Sequence, residues 1–177
     1  LPELLDAVNQ FSYHMQSLDQ RAVAQARSYA QSYTSIFGSN VPPSFIDLGH
    51  FAALTYKYSG DNATRQQANN ILSALSKVIV AEKHGPSKPG STGIAIYFPN
   101  SQLYSNNSTG MASYSVIADS FSRASLWDDF LGYHYAGRKF TADALEAVNI
   151  SRASQIPGAG TVTVSNISAT ANRVSPG

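Results

Sequence analysis

The chain has no cysteine among its 177 residues. This absence excludes disulfides, thiolate metal sites and a thiol nucleophile carried by the chain itself. Charged residues are also scarce, at 13% of the chain, which is about half the usual share of a soluble protein. Hydroxyl and amide side chains supply the polarity instead, and a surface of that kind favours a secreted protein.

Long apolar runs and basic clusters are missing as well. No segment reaches the roughly 20 apolar residues of a membrane helix, and the first residues lack the basic start and long apolar middle of a signal peptide. The formal net charge is +1, without the basic stripe that nucleic-acid binding needs. We therefore expect neither a membrane nor a nucleic acid as partner. Because the sequence opens inside an amphipathic pattern, we expect a cut before Leu1.

Helical periodicity dominates the first 80 residues, which is long enough for four amphipathic helices. Ser17 is positioned to cap the second helix. Ser44 and Asp47 resemble a capping box that opens a third helix ended by Gly60, and Asp61 is the predicted cap of the fourth. The positions predicted to be buried are Leu4, Leu5, Val8, Phe11, Met15, Val23, Ala26, Ala30, Leu48, Phe51, Ala52, Thr55, Ala68, Ile71, Leu72, Leu75, Val78 and Ile79.

One strand is predicted from an apolar run. A loop rich in glycine, proline and serine, residues 85–92, leads into Gly93–Pro99, whose interior is apolar or aromatic and predicts a strand covered on both faces. A single strand cannot satisfy its own backbone groups, so other strands are required. We expect short strands at residues 78–81 and 114–117, and a sheet upstream of this chain supplies the rest.

The last third of the chain changes in composition. Ser125 is predicted to cap a final helix that Gly137 ends. Residues 1–140 thus form a predicted helix-rich unit, and residues 141–177 form a linker leading into a β-type extension. An alternating segment at 161–164 is the candidate strand of that extension, and a strand folding back on the main domain is the equally weighted alternative.

Three groups of ionisable residues could hold a metal ion. A structural site usually needs four ligands and a catalytic site about three. No group has a second pair of matching spacing, so capping carboxylates and surface histidines are the favoured interpretation, and we assign no metal ligand. The groups are Asp47 with His50, Glu82 with His84, and Asp128 and Asp129 with His134.

Other candidate sites are equally weak. Ser91 lies between glycines, but its segment precedes a strand, whereas a hydrolase nucleophile sits on a turn that follows one. Tyrosines could stack on a sugar or a peptide, although the border of the core is their commoner position. The tyrosines in question are Tyr13, Tyr29, Tyr33, Tyr56, Tyr58, Tyr133 and Tyr135.

Three motifs resemble, in order and spacing, the C-terminal half of clostripain-like cysteine peptidases, over about residues 1–135. The motif residues are Asp47, Leu48, Phe51, Gly93, Ile94, Ile96, Tyr97, Phe98, Pro99, Trp127, Phe130 and Leu131. The resemblance implies the C-terminal part of a caspase-like α/β/α sandwich. It also implies an upstream sheet that carries a His and Cys dyad and a pocket selective for Arg or Lys.

None of those catalytic positions lies in this chain, so we assign it no catalytic or cofactor-binding residue. Calcium is left open as a cofactor of the parent enzyme alone. The leading hypothesis is the non-catalytic C-terminal portion of a secreted endopeptidase, whose partner is the upstream catalytic half and whose peptide substrates are reached through the parent. The alternatives are a stand-alone extracellular binding or scaffolding domain and a degenerate homologue that has lost the dyad.

Overall fold

The structure is a computed structural model that describes residues 1–33, 40, 42–108, 110–141 and 143–144. In this part of the chain, helices surround a small antiparallel sheet, so the expected helix-rich α/β class is confirmed in general form. The helices are α1 (Pro2–His14), α2 (Gln20–Tyr29), α3 (Leu48–Tyr58), α4 (Asn62–Val78), α5 (Ser101–Tyr104), α6 (Met111–Ile117), α7 (Asp119–Ala124) and α8 (Trp127–Ala136). The strands are β1 (Ser32–Tyr33), β2 (Phe45–Asp47) and β3 (Ala95–Tyr97).

The four long N-terminal helices build most of the interior. Helix α1 lies against α4, α2 lies against α3, and α3 and α4 pack on each other. Their apolar stripes face this interface, because burying apolar surface is the main favourable term in folding. Most positions predicted to be buried are buried, whereas Leu5, Leu72, Val78 and Ile79 are half-buried. Among the described helices, none combines the length and the apolar composition of a membrane span.

The caps of α2 and α4 differ in how well the sequence predicts them. Asp61 caps α4 as expected, since its carboxylate accepts the N–H of Thr64 at 2.8 Å. Ser17 does not cap α2, because it lies in a short 3-10 turn that separates α1 from α2. Asp19 takes that role and accepts the N–H of Ala22 at 3.0 Å. In both helices an aspartate carboxylate therefore accepts a backbone N–H of the first turn that has no partner within the helix.

The predicted capping box at the start of α3 is wrong. Ser44 precedes strand β2, and α3 begins only at Leu48, with Asp47 as its cap. Residues 45–47 adopt extended geometry because they supply the hydrogen-bonded neighbour that β3 requires. At the other end, α3 finishes at Tyr58, two residues before Gly60.

The sheet has the order β1-β2-β3, and both pairings are antiparallel. Its central strand is β2, for which the sequence pattern predicts the start of a helix. The paired residues are Ser32 with Ile46, Tyr33 with Phe45, Phe45 with Tyr97, Ile46 with Ile96 and Asp47 with Ala95. The chain therefore provides the partner of β3 itself, rather than leaving it wholly to an upstream sheet.

Strand β3 is shorter and more open than predicted. It covers Ala95–Tyr97 within the predicted Gly93–Pro99 segment. Ile96 and Tyr97 are buried, but Gly93 and Ala95 are exposed. The expectation of two covered faces therefore fails at the start of the strand.

The two further strands expected from the sequence are absent from the described residues. Residues 114–117 belong to α6, whose Tyr114 stacks on Tyr97 at 3.9 Å between ring centroids. Helix α4 runs to Val78, and the N–H of Ile79 still donates to Leu75, so the segment 78–81 does not pair. Aromatic and β-branched residues account for the wrong prediction, since they suit both a strand and the buried face of a short helix.

Helix α8 closes the core. It begins at Trp127 with Leu126 rather than Ser125 at the cap position, and it ends as predicted at Gly137, which has φ 68°. Its aromatic residues join others from α1, α3 and the position directly after β3, with ring centroids 5.0 to 6.3 Å apart. The members of this aromatic core are Phe11, Phe51, Phe98, Trp127 and Phe130. Most of the predicted extension at 141–177, with its candidate strand at 161–164, lies outside the described residues.

Candidate functional site

The motif residues converge on one side of the core. Most of their apolar members are buried together, and Asp47 and Pro99 are buried beside them. Gly93 is the exception, being exposed with φ 110°. Two structural centres result, one around the carboxylate of Asp47 and one at the outer edge of β3.

Asp47 is fully buried and lies where β2 turns into α3. Its carboxylate accepts the backbone N–H of His50 at 2.9 Å and the backbone N–H of Thr92 at 2.7 Å. The hydroxyl groups of Thr92 and Tyr33 donate to it as well. Four donors and the positive end of the α3 dipole compensate for the loss of water around this carboxylate. Asp47 thereby ties the loop before β3 to α3 and β1.

A chain of hydroxyl groups leads outward from this carboxylate. Tyr33 donates to Asp47 at 3.0 Å, and its oxygen lies 2.7 Å from that of Ser91. Because the single phenolic proton is directed at the carboxylate, Ser91 must be the donor to Tyr33. Burial raises the pKa of Tyr33, and the hydrogen bond to Asp47 adds to that increase while the one from Ser91 opposes it.

A polar cavity of about 520 Å³ opens beside Ser91 and Tyr33. It brings Ser91 near the Glu82 and His84 pair, in which Nδ1 of His84 lies 2.9 Å from a carboxylate oxygen. The composition suggests a catalytic triad, but the Ser91 proton points to Tyr33 and no hydrogen bond joins Ser91 to His84 in the described residues. Asp47 already accepts four hydrogen bonds, and none of them comes from Ser91. Among the described residues that line it, the cavity therefore presents no activated nucleophile.

The three candidate metal groups are all used in other ways. Nδ1 of His50 accepts the backbone N–H of Gln31 at 3.0 Å, so the ring is turned away from a shared site with Asp47. A Cβ on Gly90 would lie 2.1 Å from that same nitrogen, which explains the glycine there. Within the described residues, no three His, Asp or Glu side chains are close enough to hold a metal ion.

The acidic pair at the start of α8 serves the fold. Asp128 accepts a hydrogen bond from the hydroxyl of Ser122. Burial and the neighbouring charge of Asp128 raise the pKa of Asp129 to about 6, against a smaller opposite effect of Arg138. Nδ1 of His134 lies 3.0 Å from the amide oxygen of Gln20, and the imidazole packs among aromatic rings. The carboxylates and the imidazole do not converge on one point.

The outer edge of β3 is open at Ala95. The bonds from Leu48 to Ile94 and from Phe98 to Ser44 mark the hydrogen-bonded pairs of the β2–β3 ladder. In an antiparallel ladder the intervening residues direct their N–H and C=O groups away from the partner strand. Ala95 and Tyr97 therefore point outward. The indole N–H of Trp127 donates to the Tyr97 carbonyl at 2.6 Å, whereas Ala95 is exposed and has no such partner among the described residues.

An apolar groove with a volume of about 310 Å³ runs along this open edge. Its floor includes Ala95, and Leu1 on its rim is 77% exposed. Val116 and Ile117 on α6 are also exposed, at 78% and 64%. The lining residues are Leu1, Leu4, Leu5, Val8, Leu48, Ile94, Ala95, Ile96, Tyr114 and Phe121. Apolar surface beside an unpaired strand edge is typical of a site where another strand packs.

The tyrosines divide into two sets. Several use their hydroxyl groups within the fold, as Tyr133 does in donating to the carbonyl of Gln16 at 2.9 Å. Tyr29 and Tyr56 are 65% and 44% exposed, and the ring of Tyr29 lies 6.1 Å from that of Tyr58. The expectation that tyrosines close the border of the core therefore holds for the first set and not for these exposed rings.

Comparisons with known protein families, with characterised proteins and with solved structures found no match.

Local sequence patterns do not indicate which residues bind the carboxylate of Asp47. Tyr33 and Thr92 are separated from it by 14 and 45 positions, and only the fold brings them together.

Proposed function

We propose that this chain is the non-catalytic C-terminal portion of a secreted clostripain-like cysteine endopeptidase. In this role it adds its sheet to that of a catalytic half and braces the substrate cleft. The parent would cleave after Arg or Lys and would act outside the cell. Calcium, where the parent binds it, is then held by residues beyond those of this chain.

The observation that carries the proposal is the open edge of β3. The sheet is small, with two or three residues in each described strand, and sheets of stable domains usually have longer and more numerous strands. At Ala95 the outward N–H and C=O groups face an apolar groove rather than a partner. A strand from a catalytic half would satisfy these groups and cover the groove and Leu1.

The side chains also favour a supporting role over catalysis by the chain itself. A cysteine peptidase needs a thiolate, and this chain has no cysteine. Ser91, the nearest candidate for another nucleophile, directs its proton to Tyr33. The motif residues around Asp47 instead hold the loop before β3 in place, and those around Trp127 hold the C-terminal end of β3. Together they fix the position of the open edge.

The first experiment measures hydrolysis of a fluorogenic arginyl peptide by this chain and by the full-length protein that contains it, with and without a thiol-alkylating agent. We expect activity in the full-length protein only, and we expect alkylation to abolish it. Activity of this chain alone would refute the proposal, and so would an absence of activity in the full-length protein.

A second experiment tests the edge. Ala95→Pro in the full-length protein removes one outward N–H while leaving the β2–β3 ladder, since proline is tolerated where its nitrogen faces away from the partner. We expect kcat/KM to fall at least about tenfold, because a misplaced support disturbs the geometry of the dyad. Ala95→Val keeps the N–H and should stay close to the unchanged protein. Equal effects of both substitutions would argue against strand pairing at this edge.

A binding domain is the second candidate, and the exposed tyrosines favour it. Tyr29 and Tyr56 are large exposed side chains, and the guanidinium of Arg65 lies over the ring of Tyr56, 5.2 Å from its centroid. Such a surface could stack on a sugar or a peptide. Replacing both Tyr29 and Tyr56 by alanine should leave peptidase activity unchanged under the first proposal. A degenerate homologue differs from the first candidate in lacking the upstream His and Cys dyad, so the upstream sequence distinguishes these two.

A further inference from the structure

The connection between α4 and β3 contains a weakly held stretch, residues 80–84, which we call the unanchored segment. Residues 79–94 have neither helix nor strand, and every residue from 80 to 87 is exposed. Val80, a large apolar residue, is 98% exposed. No hydrogen bond from the described part of the chain reaches the backbone of residues 80–84. Opening this segment therefore costs far less free energy than unfolding a helix.

The two ends of the connection are anchored, in contrast. At one end Ile79 donates its N–H to Leu75 at 2.9 Å. At the other end Lys88 donates to the carbonyl of Ser32 at 2.8 Å, and the neighbouring residues 91 and 92 are held by the hydrogen bonds of the Asp47 centre. A cut between the anchors would leave both of them in place.

Lys83 is the basic residue within the unanchored segment. Its side chain is exposed and makes no hydrogen bond or ion pair with the described residues. Glu82 and His84 pair with each other across it at 2.9 Å, but a single ion pair near the surface adds little to stability. Lys88 is a poor alternative, because Pro89 follows it and its ammonium group lies 5.4 Å from the ring of a tyrosine in β1.

We propose that the Lys83–His84 peptide bond is a site of limited proteolysis by an endopeptidase that cleaves after basic residues, and that the cut chain remains one folded unit. Cleavage adds one water molecule across the bond and leaves a carboxylate on Lys83 and an amine on His84. Endopeptidases bind substrates as extended segments that pair along their backbone, and the backbone groups of residues 80–84 have no hydrogen-bond partner within the described ranges.

The two fragments stay together because the main contacts cross the cut. Strand β2 belongs to the first fragment and β3 to the second. The side chain of Arg27 donates twice to the carbonyl of Phe98, at 3.0 and 3.1 Å. Trp127 packs on Phe11 in the same aromatic core. These contacts bury much more apolar surface than the unanchored segment, which contributes almost none.

The test is digestion of the intact chain with a small amount of trypsin under native conditions, followed by mass spectrometry. Within residues 1–141 we expect the bond after Lys83 to be cut at least about tenfold faster than bonds after basic residues in helices, because cleavage follows the population of the open form. Lys83→Gln should abolish this cut, and the matched control Lys57→Gln, at an exposed position on α3, should leave it unchanged. Cleavage elsewhere in residues 1–141 with Lys83 intact would overturn the proposal.

The second part is tested on the cut protein. We expect the fragments 1–83 and 84 onward to elute together in size-exclusion chromatography and to keep the helical circular dichroism of the uncut chain. Separation of the fragments or a large loss of helical signal would show that the connection is required for folding, which would refute this part of the proposal. Because trypsin supplies the activity, these outcomes do not depend on whether the chain belongs to a peptidase.

Discussion

The indole N–H of Trp127 donates a hydrogen bond of 2.6 Å to the carbonyl oxygen of Tyr97. Both residues are fully buried, and the bond joins the start of α8 to the outer edge of β3. It satisfies a carbonyl group that would otherwise need another strand. The sheet is consequently closed at Tyr97 and open at Ala95, two residues earlier.

Replacing Trp127 by phenylalanine should destabilise the protein strongly. Phenylalanine keeps an aromatic ring in the core but removes the indole N–H, so the buried Tyr97 carbonyl is left unpaired and a small cavity forms. We expect the free energy of unfolding to fall by about 2 to 4 kcal/mol. Urea unfolding followed by circular dichroism measures this change.

The matched control is Tyr135→Phe, which also removes a donor to a backbone carbonyl, that of Pro99. Tyr135 is only half-buried, so water can replace its hydroxyl and the loss should stay below about 1 kcal/mol. Similar losses in the two variants would mean that burial of the Tyr97 carbonyl is not what makes Trp127 important.

Asp47→Asn should lower the free energy of unfolding more than Asp61→Asn does, although both aspartates cap helices. The new amide at position 47 would direct its NH₂ group at donors that now point to a carboxylate, within a fully buried site. We expect the free energy of unfolding to fall by about 2 to 4 kcal/mol there. Asp61 is exposed and asparagine is an equally good cap, so that change should leave stability nearly unaltered. Equal effects in denaturant unfolding would contradict this account of Asp47.

The sequence predicted the long helices well and the sheet poorly. In α4, Asp61 and the periodic Ala68, Ile71 and Leu75 are local signals, and the fold follows them. Strand β2 has no such signal, because its three residues become a strand only through pairing with β3, about 50 positions later. Short strands of this kind depend on tertiary contacts rather than on local pattern.

The candidate site was predictable in its parts and not in its arrangement. Trp127 and Tyr97 each belong to a motif, but neither motif indicates that the indole N–H of Trp127 donates to the backbone carbonyl of Tyr97. The sequence predicts Asp47 at the start of a helix, whereas it places the hydroxyl partner Tyr33 at the border of the core. Side chains that converge from distant segments cannot be paired by spacing alone.

Gly93→Ala should destabilise the entry to β3. Gly93 has φ 110°, a conformation that residues with a Cβ rarely adopt, and an added Cβ would lie 3.3 Å from Cδ1 of Ile79. We expect a loss of about 1 to 3 kcal/mol in the free energy of unfolding. Gly60→Ala is the matched control, because no atom lies within 4 Å of the position that its added methyl group would take, and it should change stability by less than about 1 kcal/mol. Equal effects would contradict the role given to backbone conformation.

The stability of the protein should depend on pH through two groups on α8 with opposite signs. Burial, followed by the charge of Arg27, lowers the pKa of His134 to about 4. Below its unfolded pKa of about 6.5 the unfolded chain binds the proton more readily, so stability is lost as the pH falls from about 6.5 to 4. Asp129 has a raised pKa of about 6, so the folded state binds its proton first and gains stability as the pH falls through that value.

Single variants separate the two contributions. We expect His134→Gln to lose less stability than the unchanged protein between about pH 6.5 and pH 4, with a difference of at most about 3 kcal/mol. Asp129→Asn should lose more stability over the same range, by a smaller amount, because that side chain is partly exposed and solvent screens its charge. Urea unfolding at several pH values measures both slopes. If neither variant changes the slope, or if both change it in the same direction, these two groups do not control the acid stability of the fold.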